Sequence, residues 1–329
     1  MDVKKILHFL QRNIWIIILV GGMILYPFVS YQPYWLSLLI TIFIFAAFAL
    51  SYDLLLGFTG LISFGHALFF GLGAYSIAIF SRFTELSFGS MFILLAVAAT
   101  AIALIKTAFA MRVRGIYFAM ITLALAQFFW VLVMTLSRYT GGEDGMPRVP
   151  RPVFLDDRLN YYFFALGFLL LVYLISRRFI NSPTGRVLIG IRENEERMVM
   201  LGYNVFKYKL FSLTLAGIIG SFSGAIYVMF INIAYPALLN IQSTIDVLMM
   251  TIVGGVGTLH GPIFGAALVR LLSHFLSSHF RQWIIIFGII YILIVVFMPL
   301  GIFGGIPGFS KWLEKRGGWL KWIAQKLKP

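Results

Sequence analysis

The chain has 329 residues, of which 60% are hydrophobic and only 12% are charged. Soluble globular domains carry about 25% charged residues, so this composition excludes an ordinary soluble protein. The formal net charge of +14 alone would suggest a nucleic-acid partner, but the long uncharged runs exclude that class.

Uncharged segments recur along the chain at lengths that suit membrane helices. No charged residue occurs from Asn13 to Tyr52, a run long enough for two crossings of a ~30 Å hydrocarbon core at about 20 residues each. The runs are continuous rather than alternating, which predicts helices. We therefore predict an all-α polytopic membrane protein of ten spans, near 13–30, 35–52, 60–81, 88–106, 115–137, 159–176, 209–233, 239–257, 261–279 and 282–300.

The eighth predicted span permits a second interpretation. It contains Asp246 and ends in Gly254-Gly255-Val256-Gly257, so it also fits a re-entrant pair with the ninth span, which leaves eight crossings. Both numbers are even and place the two termini on the same side of the membrane.

Basic residues indicate which side is cytoplasmic, because they accumulate there in short loops. They cluster at the N-terminus, at 106–114, in residues 177–209 and after Ser310, whereas loop 138–158 balances four arginines with four acids. We predict cytoplasmic termini, a cytoplasmic segment 177–209 and an external loop 138–158.

The last residues form a separate region. Trp312, Trp319 and Trp322 alternate with basic residues in 311–329, a pattern typical of helices that lie in the lipid headgroup plane. The sequence predicts a transmembrane domain over 1–310 and a basic-aromatic interfacial tail over 311–329, in contact with membrane lipid.

Motifs for catalysis are missing. The chain has no Gly-Lys dipeptide and hence no P-loop, so it is not expected to hydrolyse ATP itself. Its five histidines lack metal-ligand spacing, there are no cysteines, and no Gly-x-Ser-x-Gly occurs. We expect no catalytic residue, no cofactor and no metal site.

Glycines and rare acids inside apolar spans are the candidates for a translocation path. Small residues allow close helix packing, while interrupted helices line the paths of transporters, and acids within a membrane are costly unless they face protein or water. The motif at His66 also resembles the one at His260, which suggests two structural halves. The candidates for the path are Asp53, His66, Asp246, Gly254, Gly255 and Gly257.

Residues 177–209 contain a predicted surface helix. Ser182-Pro183 is a helix-start signal and Gly202 a left-handed stop, and between them lies a short charged helix with an apolar edge. Such a helix suits docking into a groove on a cytoplasmic partner; a solvated loop helix is the alternative. The predicted docking residues are Arg192, Glu193, Asn194, Glu195, Glu196, Met198, Leu201 and Gly202.

Several motifs together resemble the membrane subunits of branched-chain amino-acid ABC importers, specifically the longer M-type subunit of the LIV-I class. The resemblance extends from about Leu50 to Gly304. It is carried by Leu54-Leu55-Leu56-Gly57-Phe58-Thr59-Gly60, Ser63-Phe64-Gly65-His66-Ala67, Thr140-Gly141-Gly142-Glu143-Asp144-Gly145, Ile191-Arg192-Glu193-Asn194-Glu195, Leu201-Gly202-Tyr203-Asn204, Gly254-Gly255-Val256-Gly257, His260-Gly261-Pro262 and Pro299-Leu300-Gly301-Ile302.

The resemblance implies a type II-like importer permease in the inner or plasma membrane of a bacterium or archaeon. Its implied partners are a second permease subunit in a heterodimer, two cytoplasmic ATPases and an external solute-binding protein. Permeases of this kind tend to have Glu-Ala-Ala followed three residues later by Gly in the ATPase-docking loop. Here Glu196 and Gly202 match, whereas Arg197 and Met198 replace both alanines.

Three alternatives stay open at this point. Importers of urea or short-chain amides use similar permeases, so the sequence does not separate these substrates from Leu, Ile and Val. A stand-alone secondary transporter or channel is disfavoured because no chain of acids suggests a proton relay. A membrane-embedded enzyme would need a role for His66 or Asp246.

Overall fold

The computed structural model describes residues 21–28, 32–84, 86–113, 115–298 and 301–302. The predicted tail 311–329 and most of the first predicted span lie outside the described residues. Residues 21–28 are helical. The helices that follow are α1 (Pro33–Thr59), α2 (Ala67–Phe83), α3 (Phe88–Ala110), α4 (Ile116–Thr135), α5 (Ser137–Thr140), α6 (Arg158–Asn181), α7 (Pro183–Glu193), α8 (Glu195–Met200), α9 (Val205–Ile231), α10 (Ile241–Gly254), α11 (Gly261–His279) and α12 (Trp283–Phe297).

Helix ends follow local sequence signals. Pro33 begins α1, where its fixed φ suits the first turn, and Gly60 ends it in the left-handed conformation at φ +74°. The side chains of Ser87, Ser182 and Asn204 accept a backbone N–H at the starts of α3, α7 and α9. Each of these caps satisfies one of the N–H groups that a helix start leaves unpaired.

The chain is a multi-pass membrane protein. Within the described residues, α1, α3, α4, α6 and α9 are long and apolar enough to cross a bilayer, and α2, α10 and α12 are shorter apolar helices. Helix α1 is buried around its whole circumference and contacts α6, α9, α10 and α11. A helix that is apolar on all sides belongs in the core of such a bundle, so α1 is its central element.

The predicted spans from the second to the tenth each overlap one observed helix. The third is wrong at its start, because residues 60–66 are not helical and α2 begins at Ala67. The fourth is too short, because α3 continues to Ala110, within the basic segment 106–114 that we predicted to be a cytoplasmic loop. The number of ten crossings and the position of both termini stay predictions.

Loop 138–158 and residues 177–209 lie at opposite ends of one helix. Helix α6 joins them and has 24 residues, about 36 Å of helix. At the loop end, Met146–Pro147 pairs antiparallel with Ile233–Ala234 after α9. The two segments are therefore at opposite ends of the bundle, and the assignment of one end to the cytoplasm and the other to the outside stays a prediction.

Candidate transport and coupling site

The chain between α1 and α2, residues 60–66, is an interrupted segment held by side chains from other helices. The backbone N–H of Phe64 donates to Thr122 Oγ1 of α4 at 3.2 Å, and that of Ala67 donates to Thr244 Oγ1 of α10 at 3.0 Å. Both threonines are fully buried. Buried backbone N–H groups outside a helix need such partners, so α4 and α10 both hold this segment in place.

Lys106 of α3 also binds the interrupted segment. Its side chain is 1% exposed, and Nζ donates to Ser63 Oγ at 3.0 Å and to the Gly65 carbonyl oxygen at 2.9 Å. Nζ also lies 4.9 Å from the centre of the Phe69 ring, within the range of a cation–π contact. Sequence reasoning missed this role because a lysine near the end of a span is normally an interfacial residue.

His66, a predicted path residue, lies in the packed interior of the chain. Its Nε2 is 2.8 Å from Ser51 Oγ, and its ring stacks on Phe48 with 5.3 Å between centres and 14° between planes. Tyr52 and Phe69 contact the ring by their edges. The described contacts of His66 therefore join α1 to the start of α2.

Asp53, Gly57, Arg192 and Gly257 form a cluster that we name the Asp53 junction. Asp53 Oδ1 accepts the backbone N–H of Gly257 at 2.8 Å. The guanidinium of Arg192 donates through Nη1 to the Gly57 carbonyl oxygen and interacts electrostatically with Asp53. The cluster thus joins α1, the turn after α10 and the end of α7.

Close backbone approach at the junction depends on glycine. A Cβ on Gly57 would collide with the Asp53 carboxylate and with the backbone of Gly257. Gly257 itself has φ +74°, a conformation that glycine adopts without strain. Two predicted path residues, Asp53 and Gly257, are therefore in direct contact although 204 positions separate them.

The other predicted path glycines shape the turn between α10 and α11. Gly255 has φ +120° and ends α10, and a Cβ on Gly254 would collide with the Gly261 carbonyl group. Asp53 is 1% exposed. Its Oδ2 has no hydrogen-bond partner among the described residues.

Asp246 lies apart from the junction, within α10. Its Oδ1 accepts the side-chain amide of Gln242 at 3.3 Å, and Arg270 of α11 interacts with it electrostatically. The Arg270 guanidinium also lies 3.5 Å from the centre of the Phe45 ring of α1. These contacts join Asp246 to α11 and, through Arg270, to α1.

The predicted docking helix is two helices rather than one. Helix α7 ends at Glu193, and the side chain of Asn194 accepts the Arg197 N–H at 2.9 Å to start α8. The prediction of a single helix over 192–201 is wrong because an asparagine cap competes with helix continuation at that point. Gly202 follows α8 with φ +85°, as the predicted left-handed stop requires.

The predicted docking residues divide between two sides of the segment. Arg192 reaches the junction, Met198 packs on Gly190 of α7, and Glu195 pairs with Lys209 of α9 at 2.8 Å. On the other side, three apolar side chains form an exposed patch that we name the α8 patch, made of Val199, Met200 and Leu201. Glu193, Asn194, Glu196 and Gly202 are exposed as well, and so is Arg192 although its guanidinium reaches Gly57.

A comparison with known families identifies the chain. Residues 34–299 match the family model described as "Branched-chain amino acid transport system / permease component". The chain belongs to this family. It is a LivM-type permease of a branched-chain amino-acid ABC system, which confirms the resemblance found in its motifs.

Similar proteins come from bacteria and an archaeon. The chain is 23% identical over 287 residues to the "High-affinity branched-chain amino acid transport system permease protein LivM" of Escherichia coli (strain K12) and to its counterpart in Salmonella typhimurium. Each match covers 79% of this chain and 67% of the relative. The "Probable branched-chain amino acid transport permease protein LivM" of Methanocaldococcus jannaschii is 23% identical over 223 residues, 62% of this chain and 65% of that protein. No solved structure matches.

The family makes the chain a transporter subunit rather than an enzyme. Among the described residues, no three His, Asp or Glu side chains lie close enough together to hold a metal ion. At one end of the bundle, the surface helices are in direct contact with the helices of the membrane core.

Proposed function

We propose that this permease is a membrane-spanning subunit of an ATP-driven importer that moves leucine, isoleucine and valine into the cytoplasm. The family description and the names of the relatives support the substrate class. The proposed partners are two cytoplasmic ATPases, a second permease in a heterodimer and an external solute-binding protein. The proposed location is the inner or plasma membrane of a bacterium or archaeon.

The observation that carries the proposal is that residues 177–209 touch the membrane core on one side and present apolar surface on the other. Arg192 is bonded to α1 through Gly57, whereas the α8 patch is exposed and Met200 is 82% accessible. We propose that an ATPase docks on the α8 patch. Closure of the ATPase dimer would then move α7 and α8 as a lever, and Arg192 would transmit that movement to α1 and to the turn after α10.

The remaining parts of the chain take roles consistent with this arrangement. Residues 1–310 form the permease domain in the proposal, with loop 138–158 at the outer end facing the solute-binding protein. The basic-aromatic residues 311–329 lie on lipid headgroups. The substrate path uses discontinuous helices near the membrane centre, and its proposed residues are Asp53, His66, Asp246, Gly254, Gly255 and Gly257.

A charge placed on the α8 patch tests the docking proposal. We expect Met200→Glu to reduce the ATPase subunits that co-purify with tagged permease by about tenfold or more, because a well-placed apolar contact contributes about 2 kcal/mol at an interface centre. The matched control is Val153→Glu, at a residue that is 85% exposed on the opposite end of the bundle. Co-purified subunits are identified by mass spectrometry.

Uptake into proteoliposomes that contain the whole complex completes the test. Gly202→Pro, which forbids the positive φ at this position, and deletion of 193–201 should abolish leucine uptake while the protein stays in the membrane. Uptake that survives both changes would refute docking through this segment. ATP hydrolysis stimulated by urea with its binding protein, and not by leucine, would replace the proposed substrate with urea.

A further inference from the structure

A cavity of about 510 Å³ lies between the docking helices and the membrane core. Its walls come from the end of α1 and the interrupted segment, from Met111, Val113 and Gly115 with the start of α4, and from Ile191, Arg192, Glu195 and Lys209. The volume is within the range of small-molecule sites in proteins, about 300–1,000 Å³. Ile62 and Ile116 line the cavity and are themselves exposed, so it opens at the surface of the bundle.

The cavity combines apolar walls with charges of both signs. Leu61, Phe64 and Phe118 contribute apolar surface, while Arg192, Glu195 and Lys209 contribute two cations and one anion. Lys209 and Glu195 form an ion pair at 2.8 Å. A guanidinium has five N–H donors, so Arg192 keeps donors beyond the Nη1 bond to Gly57.

The interrupted segment separates this cavity from the protein interior. Phe64 lines the cavity, while the adjacent Ser63 and Gly65 bind the buried Lys106. The exposed Ile62 and Ile116 in its walls open the cavity to the surface at the docking end of the bundle.

We infer that the cavity binds a free apolar α-amino acid from the docking side and that its occupancy slows the transport cycle. The carboxylate of such a zwitterion would face Arg192 and Lys209, its ammonium Glu195, and its side chain the apolar wall. Arg192 and Glu195 also belong to the docking helices, so a bound amino acid restrains the segment that carries the ATPase movement. The inference rests on the proposed function for the substrate class and adds product feedback to it.

Equilibrium binding of radiolabelled leucine to the purified complex in nanodiscs, without solute-binding protein, tests the site. We expect saturable binding that valine competes for, and that leucinol, which lacks the carboxylate, and urea do not. Ile62→Trp, which fills the cavity, should weaken binding by at least tenfold. Ile116→Trp fills the same cavity from another wall and should weaken leucine binding as well. Ile284→Trp is the matched control, on an exposed isoleucine of α12.

A functional measurement separates this inference from the proposed function. In proteoliposomes that import leucine, leucine on the ATPase side should lower the rate of ATP hydrolysis at least twofold in wild type and Ile284→Trp, and have no effect in Ile62→Trp. Normal leucine import without saturable binding, with equal binding in Ile62→Trp, or with competition by leucinol overturns the cavity site alone. Absence of leucine import in the wild-type complex overturns the proposed function.

Discussion

Gly57→Ala perturbs the Asp53 junction at its narrowest point. A Cβ built on Gly57 would lie 2.7 Å from Gly257 Cα, about 1 Å inside the normal carbon–carbon contact of ~3.5–4.0 Å. Relief of this overlap separates α1 from the turn after α10 by about that distance. The 2.8 Å bond from Gly257 N–H to Asp53 then lengthens beyond the ~3.5 Å limit for a hydrogen bond.

The expected loss of stability has two contributions, the steric overlap and the broken hydrogen bond. Overpacking of this kind costs about 1–3 kcal/mol, and a buried hydrogen-bonding group left without its partner adds about 1–3 kcal/mol. Alanine also gains about 1 kcal/mol of helix propensity over glycine. Gly167→Ala cancels that gain as a control, because Gly167 is within α6 and a Cβ there meets nothing within 4 Å.

Thermal unfolding of the two purified variants measures the difference. Gly167→Ala should unfold at or slightly above the wild-type temperature. Gly57→Ala should unfold below Gly167→Ala by on the order of 4–24 °C, since the two losses together are about 2–6 kcal/mol and each kcal/mol corresponds to about 2–4 °C for domains of 150–250 residues. We also expect leucine uptake to fall in Gly57→Ala only. Equal unfolding temperatures and equal uptake in both variants would refute the close contact and the coupling role of the junction.

Two further substitutions test individual contacts. Thr244→Val keeps the side-chain shape but leaves the N–H at the start of α2 without its acceptor, so we expect thermal unfolding to show a loss of about 1–3 kcal/mol of stability. Thr100→Val is the control and should change stability far less, because its hydroxyl donates to a carbonyl of its own helix. Equal losses in the two variants would contradict a stabilising role for the Thr244 hydrogen bond. Arg192→Gln should keep the ATPase subunits bound and hydrolysing ATP while leucine uptake falls, because the guanidinium donates to Gly57 in the membrane core. The control is Arg186→Gln, at an exposed residue of the same helix, and this variant should take up leucine normally. Loss of the ATPase subunits in Arg192→Gln would instead assign that arginine to the docking surface.

Much of the architecture was predictable because a membrane span can be recognised from its local composition. Uninterrupted apolar runs near 35–52, 88–106 and 209–233 all became helices, since backbone polar groups in lipid must pair within their own segment. Ser182, Pro183 and Gly202 likewise marked the limits of the surface helices, because caps and left-handed stops depend on adjacent residues. The motifs distributed over the chain were sufficient to identify the family.

The tertiary structure decided which of these residues meet. Nothing in the sequence near Asp53 indicates its bond to Gly257, and nothing near Arg192 indicates that its side chain turns inward to Gly57. Lys106 has the local sequence of an interfacial lysine yet is buried against the interrupted segment. Composition and helix signals are properties of a few neighbouring residues, whereas these contacts depend on how distant helices pack, and only the folded chain sets that.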